Sequence, residues 1–327
     1  MRQPPYLPFL DGPPGIVPGL KPIAPKDWLL PDTEAEAWLS DKRALMREQR
    51  DAVFAARDAD AEMAEVAEAV LAVAGPIHNG EVKLTNRSWQ LNASDLAQSC
   101  RIDEVCLMND FTAMAFSVTR IGDDSYIDLK KGDPLDNSPV LVAGPGTGFG
   151  SCLLVPDDGK WQALACEGGH SLFVPRNELD RAVLDILSRH HDAVSVERIC
   201  GGGYLSELAA AIAEIHGVDA PDLSPQEIIE KGEAGDALCR DICQIRADAI
   251  ITSLANMALV GGARGGIVVA GGVARHLSNF LTDKETIARF DGVWPQGDFL
   301  QHIPIRLLVN PLAPLVGAAA HYLQYEK

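Results

Sequence analysis

From about residue 69 the chain repeats one pattern: a short apolar run, a glycine stop, then a stretch whose apolar positions recur every three or four residues. Val70–Ala74 is such a run, halted by Gly75-Pro76; Glu81–Thr85 and Glu104–Met108 follow, the last leading into a helix from about Phe111. Val140–Ala143 and Ser151–Val155 flank the loop Gly144-Pro145-Gly146-Thr147-Gly148-Phe149-Gly150 and predict a hairpin. Helices are predicted over Glu178–His190, Tyr204–Ile215, Ser224–Lys231 and Ala237–Leu259. Then come a strand over Gly266–Ala270 ended by Gly271-Gly272, a helix from Val273, a strand over Ile305–Val309 and a closing helix over Leu315–Tyr325. Strands alternating with helices indicate an α/β class.

Upstream the grammar differs. Residues 1–31 are so dense in proline and glycine that neither helix nor strand can run, and they read as extended coil. Asp32 or Thr33 then caps a helical pattern reaching Val66, with Trp38, Leu39, Leu45, Met46, Val53 and Phe54 at mostly three- and four-residue steps. Such a helix either packs by one face in solvent or receives a partner.

Charge and cysteine content narrow the function classes. The chain carries 28 basic and 46 acidic residues, a net charge of −18, which argues against binding nucleic acid backbones or anionic membranes. Seven irregularly spaced cysteines do not form a disulfide framework, and no apolar run reaches membrane-spanning length, so a cytoplasmic protein is expected. Local backbone amides could still hold a nucleotide's phosphates.

Four places carry candidate chemistry. Four glycines in the 144–150 loop let several amides point into one concavity and Thr147 adds a hydroxyl, as a phosphate cradle needs; a structural hairpin is the alternative. In Glu167-Gly168-Gly169-His170 the two glycines permit a sharp reversal that sets both polar side chains on one rim, and they argue against a helical Glu-x-x-His metal pair. Asn109-Asp110 stands where an apolar strand meets a helix, a position suited either to an N-cap or to a base acting on a hydroxyl. Gly271-Gly272 ends a strand before a helix, allowing a ligand or a neighbouring backbone to come close. Cys239 and Cys243 lie four apart on a helix with no further metal ligands at zinc spacing, and read as small core residues.

In order, "VAGP" at 73–76, "LTNRSW" at 84–89, "NDFTA" at 109–113, "GPGTGFG", "EGGH", "VERICGGG" at 196–203 and "VVAGGVA" at 268–274 resemble the bacterial glucokinases. That resemblance covers residues 69–327 and implies a two-lobed, ribonuclease-H-like sugar kinase fold of the actin/hexokinase type. It places a small lobe at 69–119 with 312–327 and a large lobe at 120–311. It implies ATP and Mg2+ as cofactors, glucose as substrate and a possible homodimer. Asp110 would be the general base on the 6-hydroxyl of glucose; Asn109, Glu167, His170 and Glu197 would hold other hydroxyls. Gly144, Gly146, Thr147 and Gly148 would meet phosphates, with Gly271 and Gly272 beside the adenosine.

The family begins with a strand, an Asp-x-Gly-Gly-Thr phosphate loop whose Asp helps place magnesium, and two more strands. Here the nearest string is Asp11-Gly12-Pro13-Pro14-Gly15, whose prolines lack the required amides. The small lobe is therefore expected to lack its first three strands. Residues 1–68 instead resemble the start of haem-dependent oxidative N-demethylases through "LPFLDGPPGIVPGLKPI" and the helix that follows. Three functions are open on this reading: an ATP-dependent glucose kinase, a sugar-binding regulatory protein without a working phosphate loop, or a haem protein through the amino-terminal segment.

Overall fold

The structure is a computed structural model that describes residues 66–83, 90–292 and 297–325. The predicted amino-terminal coil and long helix, and the stretch 84–89, lie outside the described residues. The chain divides into two compact units, Met1–Ala69 with Ala93–Val105, and Val70–Asn92 with Cys106–Lys327. In the first, the described residues include helix α1 (Ala93–Cys100), and the amides of Asp103 and Glu104 donate to the Ala67 carbonyl.

Strand β1 (Glu68–Val73) pairs with β5 (Glu104–Asn109) in a two-stranded sheet. Between them in sequence, β2 (Ile77–His78), β3 (Glu81–Lys83) and β4 (Gln90–Asn92) form a small antiparallel sheet. Helix α2 (Asp110–Ser117) follows β5 directly. The main sheet then assembles from β6 (Tyr126–Lys130), β7 (Val140–Pro145), β8 (Phe149–Asp157) and β9 (Lys160–Cys166). Helices α3 (Glu178–Leu187), α4 (Val196–Cys200), α5 (Leu205–His216), α6 (Pro225–Glu233) and α7 (Ala237–Gly261) come before β10 (Gly266–Val269). Short helices α8 (Gly272–His276), α9 (Ser278–Leu281), α10 (Lys284–Asp291) and α11 (Gly297–Leu300) lead to β11 (Ile305–Leu308) and the closing α12 (Ala313–Tyr325).

The six strands lie in the order β6-β11-β10-β7-β8-β9, with β7, β10 and β11 parallel and the hairpin β7–β8–β9 antiparallel. Period-two alternation sorts the side chains to two cores. Leu141, Ala143, Ile267, Val269, Ile305 and Leu307 face the side covered by the helices between β9 and β11. Val142, Cys152, Leu154, Val268, Ala270 and Leu308 face α2 and α12. All four residues of β10 are buried, which explains why β10 reads as an unbroken apolar run. Gly317 permits the close crossing of α12 over α2, since a Cβ there would strike the Ala113 carbonyl oxygen.

The helices predicted downstream of residue 69 are present with shifts at their ends. The helix expected to reach His190 stops at Leu187, and its last residues close on tighter bonds from Arg189 to Ile186 and His190 to Leu187. β6 and β9 were not foreseen. Two of the five residues of β6 are charged, and most of β9 is exposed as a sheet edge, so neither shows an apolar run. Cys239 and Cys243 are buried in the α7 core, where burial pushes their thiols up to about 11 and about 12.

Candidate active site

Asn109 is the last residue of β5 and the N-cap of α2. Its Oδ1 accepts from the amides of Phe111 (2.9 Å) and Thr112 (3.2 Å), while its Nδ2 donates to the Gly75 carbonyl (3.3 Å). The cap is thus Asn109, which leaves Asp110 as the first helical residue, its Oδ1 accepting from the Phe111 amide at 2.9 Å. Burial raises the Asp110 carboxyl above its ordinary value, against hydrogen bonds from Phe111, its own amide and Asn109 that lower it. A carboxylate made more basic in this way is suited to take a proton from a hydroxyl. The Phe111 ring occupies the space a Cβ on Gly150 would need, so the start of α2 lies directly against the glycine loop.

Three glycine turns meet at this loop. The amide of Gly202 donates to the Gly146 carbonyl (2.9 Å) and that of Gly203 to the Thr147 carbonyl (2.8 Å). Gly271 packs on the other side, where a Cβ would collide with the Pro145 carbonyl. The glycines fall into two kinds. Gly144 (φ +156°) and Gly271 (φ +106°) are required by backbone conformation and by contact with the Ala270 and Pro145 carbonyls. Gly146 and Gly272 have open space where a Cβ would stand, so a ligand can approach their backbone. Thr147, next to Gly146, is exposed.

Glu167 and His170 follow the edge strand β9. The segment between them forms one turn of 3-10 helix, Gly168–His170, rather than the non-helical reversal expected from two adjacent glycines. A single turn needs only the bonds from His170 to Glu167 (3.0 Å) and Ser171 to Gly168 (3.2 Å). The glycines are demanded by packing: Gly168 abuts Met257 and Ser151, and Gly169 abuts Phe149. Glu167 and His170 side chains are 74% and 63% exposed and 3.7 Å apart, so both stand on one rim, open to a polar ligand. Among the described residues no group of three His, Cys, Asp or Glu side chains could hold a metal ion.

Glu197, in the first turn of α4, turns back onto the loop. Its Oε2 accepts from the Phe149 amide at 2.8 Å and fills the space beside Gly148. The rim connects to the same helix, since Val196 donates to the Ser171 carbonyl and Phe173 to the Val194 carbonyl, both at 2.9 Å. Glu197, the 144–150 loop and Gly271 are therefore brought together by direct contacts, with Glu167 and His170 one short segment away. Asp110 makes no hydrogen bond to Glu167, His170 or Glu197, and reaches the loop through Phe111. Sequence reasoning gave no role to Ser151, whose hydroxyl receives the Gly168 amide (2.9 Å) and donates to the Cys166 carbonyl (3.0 Å). A single serine inside an apolar strand carries no signal of that task. The glycines 201–203 were visible as a triplet, and their bonding to the loop supplies the reason for it.

Residues 42–325 match the glucokinase family. The match begins upstream of residue 69, where the motifs begin, so the likeness covers part of the long helical pattern as well; that stretch has periodicity but no glycine turn to mark it. The chain is 34% identical to a glucokinase of Chromobacterium violaceum over 257 residues, 78% of this chain and 74% of that one. It is 36% identical to a glucokinase of a Caulobacter species over 256 residues, 77% of each. Among solved structures, a glucokinase from an Antarctic psychrotroph superposes with a TM-score of 0.70 at 30% identity, covering 77% of this chain and 79% of that one.

Proposed function

The chain belongs to the glucokinase family, and on that premise we propose that it transfers the γ-phosphoryl group of ATP to the 6-hydroxyl of glucose, with Asp110 as general base. The observation that carries this reading is the meeting of the Gly146–Gly148, Gly201–Gly203 and Gly271–Gly272 turns, with Phe111, next to Asp110, packed on Gly150 of the same loop. Phosphoryl transfer asks a protein mainly for positioning and charge stabilisation. The open backbone at Gly146 and Gly272, with the exposed Thr147 hydroxyl, suits a nucleotide's phosphates and adenosine. Asn109, Glu167, His170 and Glu197 offer the mixed donors and acceptors that a ring of hydroxyls requires.

In the reaction the Asp110 carboxylate takes the 6-hydroxyl proton while that oxygen bonds to the γ-phosphorus and the bond to the β-phosphate oxygen breaks, leaving glucose 6-phosphate and ADP. Magnesium supplies charge neutralisation between the phosphates when bound. Among the described residues no group of three His, Cys, Asp or Glu side chains stands ready to hold it. Lobes at 69–119 with 312–327 and at 120–311, a cytoplasmic location and a homodimer belong to the same reading. So does a small lobe short of its first three strands, a reading that rests on the lack of an Asp-x-Gly-Gly-Thr string in the sequence.

ADP release coupled to a dehydrogenase tests the proposal. Glucose-dependent release by the full chain that Asp110→Asn abolishes is the expected result. Release unchanged by that substitution removes Asp110 as base; glucose binding without any release favours a sugar-binding regulatory role.

A further inference from the structure

Helix α4 is five residues long and is fastened to both halves of the site. Its amino end is bonded to the segment that leaves the Glu167–His170 turn, through Val196 to Ser171 and the Leu172–Ser195 bridge. Its carboxy end runs into Gly201–Gly203, whose amides hold the Gly146 and Thr147 carbonyls. Glu197 in its first turn holds the Phe149 amide. A displacement of α4 would therefore be felt at the rim and at the loop together.

A cluster outside the proposed chemistry sets the orientation of this helix. Arg198 Nη1 donates to Glu207 Oε2 at 2.7 Å and lies 3.1 Å from His191 Nε2, which itself pairs with Glu207 Oε1. The Arg198 guanidinium sits over the Tyr204 ring, 4.8 Å from its centroid. Glu207, on α5, thus uses its two oxygens to hold one residue of α4 and one residue ahead of it. Burial acts to raise the Glu207 carboxyl, but the bonds and charges of His191 and Arg198 outweigh it and keep the group below its ordinary value. Side-chain exposures of 23% for Arg198 and 32% for Glu207 make the pair partly sheltered, so that this charge-assisted bond is more than a fully solvated surface bridge.

We propose that Glu207 is a positioning residue which, through Arg198, holds α4 as a stiff link by which a sugar on the Glu167–His170–Glu197 rim and a nucleotide on the glycine loops strengthen each other's binding. The proposal rests on the assignment of those two half-sites. Glycine-rich turns lose more conformational freedom than other backbone when a ligand fixes them. A sugar that fixes Glu197 and the rim orders α4 first, and α4 presents the Gly146 and Thr147 carbonyls already bonded, so less ordering is left for the nucleotide. Linkage makes the effect reciprocal. With Glu207 neutralised, Arg198 is released, α4 can pivot, and each ligand orders only its own end.

Calorimetric titration of the full-length protein with a non-hydrolysable ATP analogue, with and without saturating glucose, measures this coupling. In the unaltered protein glucose is expected to tighten analogue binding at least about fivefold. In Glu207→Gln the ratio is expected to fall to about one, while glucose affinity measured alone changes by less than about twofold. A variant that melts earlier but keeps the full ratio would assign Glu207 a merely structural role and overturn the proposal. If Glu207→Gln does not fold, as judged by circular dichroism, Arg198→Lys replaces it; that change keeps the charge but loses the guanidinium that bonds Glu207 while lying over the Tyr204 ring, and is expected to lose the coupling too. No analogue binding to the unaltered protein would overturn the nucleotide assignment. Binding with a ratio of one would overturn the coupling alone.

Discussion

β10 and β5 both end at the site, yet they are held in different ways. β10 is buried along its whole length, has parallel neighbours on both sides, and stops in a glycine pair that offers backbone to a ligand. β5 has β1 as its neighbour among the described residues, and β1 is at best half-buried. It stops in Asn109 and Asp110, which offer side chains. What fixes Asp110 is therefore less its own sheet than α2, whose Phe111 sits on Gly150 and whose Ala113, Ala115 and Phe116 pack on the six-stranded sheet. A well-braced strand can present bare backbone; a lightly braced one positions chemistry through a capped helix.

That contrast predicts a separation of activity from stability. Asp110→Asn is expected to lower kcat by roughly 10²–10⁴-fold, the range of a general base. It should not lower the melting temperature near neutral pH. The Asp110 pKa is raised in the folded state, so its contribution to stability is present at low pH and is lost as pH rises through the folded value. For the same reason kcat should fall on the acid side through a pKa above that of an ordinary aspartate. Loss of stability equal to the loss of activity would break the comparison.

Arg289 should show the opposite behaviour. It spans Asp180 (2.9 Å) and Asp248 (2.8 Å), whose side chains are 1% and 8% exposed, beneath the six-stranded sheet's helices. Arg289→Met leaves both carboxylates without their cation and is expected to cost about 3–5 kcal/mol in denaturant unfolding. What folded protein remains should keep its glucose affinity.

The glycines sharpen the comparison further. Gly144→Ala and Gly271→Ala put a Cβ into a carbonyl and a side chain at positive φ, and each should cost at least about 1–2 kcal/mol of stability. Gly146→Ala meets nothing within 4 Å, so stability should move by less than about 0.5 kcal/mol while nucleotide affinity falls. At the cap, Asn109→Ala should cost about 1 kcal/mol, read as a small shift in melting temperature, and should weaken glucose binding as well.

Much of this was legible in the chain. The apolar runs marked β1, β5, β7, β8, β10 and β11, and the glycine loops marked the turns between strand and helix, because burial and positive φ both leave compositional traces. The edge strands β6 and β9 left none, since a half-exposed strand needs no apolar run. At the site, residue types announced Glu167 and His170 as polar groups around a glycine pair, and Asp110 as one at a junction of strand and helix. Sequence could not show that Asn109 rather than Asp110 caps α2, or that Glu197 bonds to the loop. Nor could it separate Gly144 and Gly271, fixed by packing, from Gly146 and Gly272, which face open space. Those distinctions depend on which backbone lies opposite, 34 to 126 residues away in the cases of Asn109 with Gly75 and Gly144 with Ala270.

The most direct test is to incubate the full chain with ATP, magnesium and glucose and to follow the products by phosphorus NMR. The account predicts glucose 6-phosphate and ADP in equal amounts, with neither formed by Asp110→Asn beyond a trace. ADP formed without sugar phosphate, or no product at glucose concentrations that saturate the site by calorimetry, would contradict it.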